Sequence, residues 1–184
     1  MKREKMPEPT WSAAKAKIKK LDECELLNLV ADLYRLSKEN QAFVHARLEL
    51  GADPLQYYKR IINDCIYPDV HKNKPIQISK AKKAIIDYSK AVGDTLGEAE
   101  LMTFFVEQGN AFTLEYGDIN AAFYAALNLM FRRAIERICS LPDQRRDAFK
   151  ERLETIMNSS AKIGWGYHDE LRDDYYTAFP LPRS

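Results

Sequence analysis

Gly164-Trp165-Gly166-Tyr167-His168-Asp169 is the stretch of this chain where a histidine, carboxylates and aromatic rings crowd together. His168, with Asp169 beside it and Asp173 a turn further on, has the residue types of an acid–base site: an imidazole that titrates near neutrality and carboxylates to orient it. Trp165 and Tyr167 would wall such a site. The same residues also have a purely architectural reading. His168 or Asp169 opens a helix as its cap, and Trp165 plugs the core. That reading is preferred, because it accounts for every residue in the stretch without invoking a reaction. It expects a buried Trp165 and an imidazole tied to an internal partner.

Other chemistries lack their residues. A di-metal carboxylate bundle needs Glu-x-x-His on two helices, and the chain has none. His45 and Glu49, four apart, make half a site at best and read as a surface contact. Small helical ribonucleases place an Arg shortly before a His on one helix, and His45, His71 and His168 all lack that Arg. There is no Gly-x-Ser-x-Gly elbow, and Gly164-x-Gly166 follows no strand. Neither a cofactor nor a metal is read from the sequence. Cys24, Cys65 and Cys139 form no Cys-x-x-Cys pair and read as small apolar residues of a reduced protein.

Cationic side chains gather in three places: Lys15 to Lys20, the loop and helix from Lys72 to Lys90, and the helices holding Arg132, Arg133, Arg137, Arg145, Arg146 and Arg152. Lys80, Lys83, Arg132 and Arg133 are the candidate binding residues, together with Trp165 and Tyr167. Two such groups facing one way would contact phosphates. Interleaved acids and a formal charge of +1 favour solvated helix faces instead.

Positioning these residues falls to helices. Thr10 caps a first helix running through Lys20, and Asp22 caps a second with Leu26, Leu29, Val30, Leu33 and Leu36 at three- and four-residue spacing. Ser37 opens a third through Leu50, closed by Gly51, and Asp53-Pro54 a fourth that ends at Tyr67-Pro68. After a loop over 67–78, Ser79 caps a fifth helix. Thr95 and Glu98 read as the capping box of a sixth running to Tyr116, with Gly109 a weak point inside it. Gly117 should end that helix with positive φ. Asn120 to Leu141, Pro142 to Lys162 and His168 to Phe179 complete about nine helices. Phe104, Phe105, Phe112, Tyr116, Phe123, Tyr124 and Phe131 mark the sixth and seventh as the central hairpin.

No segment alternates with period two, so the fold class is all-α: stacked antiparallel helical hairpins, as an irregular bundle or a degenerate helical-repeat array. A flexible start over 1–9 and one helical domain over 10–180 are expected. The start is charged, without the apolar run of a secretory leader, and the longest apolar stretch, Ile119 to Phe131, is too short for a bilayer. A cytoplasmic protein with no membrane partner is the expectation.

The combination Leu33-Tyr34-Arg35-Leu36-Ser37-Lys38-Glu39-Asn40, Ser79-Lys80-Ala81-Lys82-Lys83-Ala84-Ile85, Phe105-Val106-Glu107-Gln108-Gly109, Glu115-Tyr116-Gly117-Asp118 and Gly164 to Asp169 resembles an uncharacterised bacterial family of small helical proteins, over about Pro9 to Phe179. The resemblance implies a bacterial cytosolic protein and supplies no activity. With every catalytic motif missing, the sequence reads as a non-enzymatic helical module that binds another protein. A nucleic-acid-associated protein is the alternative, and an enzyme of unfamiliar type at His168 the third reading.

Overall fold

A computed structural model describes residues 8–51 and 53–180, and over these the chain is all-α, with nine helices and no strand. They are α1 (Trp11–Ile18), α2 (Glu23–Leu36), α3 (Lys38–Arg47), α4 (Gln56–Ile66), α5 (Ile78–Ala91), α6 (Thr95–Tyr116), α7 (Ala121–Cys139), α8 (Asp143–Ser159) and α9 (Tyr167–Ala178). Several helix starts follow side chains that satisfy the first free N–H groups. Thr10 accepts from the Ala13 N–H at 3.3 Å, and Asn120 from that of Phe123 at 3.0 Å. Asp22 and Glu25 form a complete capping box, at 2.8 and 3.0 Å.

Four boundaries differ from expectation. The capping box at Thr95 does not form. Asp94, one residue earlier, accepts from the Leu96 and Gly97 N–H groups, which releases Glu98 for tertiary contacts. Ser79 lies inside α5, which starts after Gln77 without a side-chain cap. Asp53 does cap the Leu55 N–H at 2.9 Å, but regular helix begins only at Gln56. The third helix stops at Arg47 instead of Leu50, as Glu49 and Gly51 turn the chain with φ of 52° and 92°.

The described residues group into two compact units, the first ending at His45 and the second starting at Ala46. The expected flexible start over 1–9 lies mostly outside the described residues. In the first unit, α1 and α2 bury no residue at all. Its internal ties are polar: Tyr34 Oη meets His45 Nε2 at 2.8 Å, and the Asn40 amide donates to the Leu33 carbonyl at 2.6 Å.

The second unit holds the core. Twelve of the 22 residues of α6 are buried, and this helix packs against α4, α5, α7 and α8, with its last turns open to solvent. α9 packs on α7 and α8. A central helix with four neighbours is a bundle; in a linear array each hairpin would meet only the next. Phe105, Phe112, Phe123, Tyr124 and Phe131 are buried as expected of the central hairpin, whereas Phe104 is half-buried and Tyr116 exposed. Gly109 is the means by which α6 and α7 approach: a Cβ there would stand 2.3 Å from Leu127 Cδ2. Gly117 ends α6 at φ 89°, ψ −169°, a backbone region essentially reserved for glycine. Of the cysteines only Cys65 is buried, and burial pushes its thiol pKa up; Cys24 and Cys139 are exposed. Among the described residues no helix is long and apolar enough to cross a membrane.

Candidate functional site

The C-terminal cluster is built around Tyr167. Trp165 is not the core plug expected: it is 57% exposed, held at φ 65° in the Gly164–Gly166 turn, its ring stacked outside Tyr124 at 6.5 Å. The turn carries the indole outward and delivers Tyr167, the first residue of α9, into the space behind it. Tyr167 is fully buried, its ring 5.3 Å from that of Tyr124, and its hydroxyl has no hydrogen-bond partner among the described residues. Tyr124 Oη is well used, meeting Thr113 Oγ1 at 2.6 Å and donating to Asp118 at 3.1 Å.

His168 is half-buried and turned toward α8. Its Nδ1 lies 3.0 Å from the Met157 carbonyl, which can only accept, so Nδ1 carries the proton; Ser160 Oγ stands 3.1 Å away and donates to that same carbonyl. The imidazole thus ties the start of α9 to the end of α8. Asp169 and Asp173 lie on Arg172, at 3.6 and 3.5 Å, and are exposed. The three candidate catalytic residues are therefore not brought together. Among the described residues no three His, Cys, Asp or Glu side chains converge as a metal would require.

Several of the cations from the arginine-rich helices are spent on internal pairs. Arg132 sits on Asp174 at 3.2 Å, Arg137 on buried Glu98 at 2.6 Å, and Lys83 pairs with Asp87 one turn along α5. Arg152 of α8 bridges Glu100 and Glu107 of α6, at 2.5 and 2.7 Å, and Lys59 of α4 joins Glu100 to Asp53, at 3.1 Å each. Burial raises the Glu100 pKa, but Arg152 and Lys59 outweigh it and hold the carboxyl below the usual range. Lys80 and Arg133 are exposed. Arg133 lies with Lys82, Lys90 and Arg137 around a cleft of about 400 Å³ between α5, α6 and α7, a grouping that only tertiary structure makes.

An uncovered apolar surface lies on α2. Leu26, Leu29, Val30, Leu33 and Leu36, whose spacing suggested a core face, are 36–75% exposed. At 100° per residue they fall within about a third of the helix circumference. Glu25 and Asp32 border this arc beside Leu29 and Leu36, and Arg35 stands opposite it. Periodicity announced the face but could not tell a buried stripe from an open one. No protein-family model, no curated protein and no solved structure matches this chain.

Proposed function

We propose that the protein is a non-enzymatic interaction module of the bacterial cytoplasm, and that α2 is the element it presents. One observation carries this reading: a capped, amphipathic helix buries none of its own residues while holding five aliphatic side chains in solvent along one face. Contiguous exposed apolar surface of this kind marks association sites. Leu26, Leu29, Leu33 and Leu36 follow the spacing of a helix that lies in a partner's groove. The acidic border at Glu25 and Asp32 favours a groove rimmed by Lys or Arg, so the occupant is a second protein with an apolar, basic-edged cleft. A bacterial cytosolic setting is what the family resemblance implies.

In-cell photocrosslinking tests the reading. A photoreactive phenylalanine analogue at position 33 should give one discrete heteromeric adduct, lost in a Leu29→Asp/Leu36→Asp background. The same analogue at position 28, on the opposite face, should give none. No adduct from position 33, an identical pattern from both positions, or a homodimer as the sole product would overturn it.

A further inference from the structure

The cleft between α5, α6 and α7 holds an unbalanced set of charges. Four cations, Lys82, Lys90, Arg133 and Arg137, surround it with only two carboxylates, Glu98 and Glu136. Glu98 is already committed, accepting from Ser89 Oγ and paired with Arg137 at 2.6 Å. Glu136 is exposed on α7, one turn from Arg133. Among the described residues Lys82 and Arg133 have no carboxylate in contact; both line the cleft, and after burial the Arg133 charge is what depresses the Lys82 ammonium. Two like charges lining one cleft, half-buried Lys82 and exposed Arg133, are stabilised by an anion between them. Beneath them the surface turns apolar: Ile85, Met102 and Met130 are 4%, 8% and 2% exposed and form the floor, while Ile86 stands at the mouth, 49% exposed. Methionines make an adaptable lining for an apolar ligand.

We infer that this cleft is a binding site for an organic anion, its acidic head seated between Lys82 and Arg133 and its apolar body lying over Met102 and Met130. A cleft of about 400 Å³ accommodates a small molecule of this kind. The chemistry fixes a head with negative charge on oxygen, either carboxylate or phosphate, on a body of a few apolar carbons. The site lies in the second unit and is independent of the α2 face.

Calorimetric titration of the full chain with octanoate, octyl phosphate, octanol and inorganic phosphate tests both halves of the site. Octanoate or octyl phosphate should bind at least about tenfold more tightly than octanol or inorganic phosphate, and the tighter of the two identifies the head group. Methyl resonances of Met102 and Met130 should shift on binding. Lys82→Gln and Arg133→Gln should each weaken binding by about tenfold with the melting temperature unchanged, since neither side chain has an ion-pair partner to lose among the described residues. Arg145→Gln, outside the cleft, should change nothing. Equal binding of octanol, unshifted methionine methyls or full affinity in both variants would overturn the proposal. So would displacement of octanoate by a mixed-sequence oligonucleotide at low salt, which would assign the cations to a nucleic-acid backbone instead.

Discussion

Tyr167 is a large ring with a buried hydroxyl that bonds to no described residue, and these two properties separate cleanly by mutation. Tyr167→Ala should cost about 3–5 kcal/mol, the range for deleting a core aromatic. Tyr167→Phe removes only the unpaired hydroxyl and should leave stability equal or raise it by up to about 1 kcal/mol, because the desolvation cost disappears with the group. Trp165→Ala, at an exposed position, should change stability by no more than about 1 kcal/mol. Chemical denaturation of the three variants checks all of this, and a destabilised Tyr167→Phe would reveal a partner for the hydroxyl. Local chemistry made much of this cluster legible. The glycines announced a turn, and Gly117 adopts the positive φ that its place after α6 required. Which ring went inside was not legible, since the left-handed backbone at Trp165 reverses the direction of the indole, and no composition rule foresees that.

Helices meet here through two devices, one steric and one ionic. Gly109 lets α6 and α7 close up, so Gly109→Ala should destabilise by about 1–3 kcal/mol although alanine is the better helix former. Adding Leu127→Ala should recover part of the alanine-induced strain, so that the pair costs less than the sum of the singles. Strict additivity in denaturant titrations would show that the two side chains do not compete for the same space. The ionic device joins α4, α6 and α8 through Lys59, Glu100, Glu107 and Arg152. The folded Glu100 pKa is depressed, so its contribution is fully present above the ordinary carboxylate value and is lost as pH falls through the folded one. Arg152→Gln should therefore cost about 1–3 kcal/mol at neutral pH, with the difference from wild type shrinking below about pH 4. A pH-independent difference would mean that Arg152 acts by packing alone. Caps at Thr10 and Asp22 were readable because each rests on neighbours within three residues. The Arg152 network joins residues 45 and 52 apart in the chain, and nothing local encodes it.

At the scale of the molecule the chain is uneven. Much of the buried core of the second unit surrounds α6, whereas α1 and α2 have no buried residue to hold them. Hydrogen exchange should reflect this difference. Amides of α1 and α2 should exchange through local opening, while those in the middle of α6 and α7 exchange only with global unfolding. Equal protection of α2 and α6 in the isolated protein would contradict the burial pattern. The all-α class was legible from end to end because periodicity and punctuation agree along the whole sequence. The division after His45 was not, since the leucines of α2 carry the same spacing as a core helix and only their missing neighbours distinguish them.

The three cysteines turn this unevenness into an instrument. Cys24 stands exposed on α2, Cys139 stands exposed at the end of α7, and Cys65 is shut inside α4 with its thiolate further suppressed by burial. A maleimide dye applied to the native protein should mark one thiol in each unit and spare the third until denaturant is added. The natural sequence therefore carries a ready-made donor–acceptor pair for single-molecule fluorescence, able to follow the separation of its two units without a single mutation.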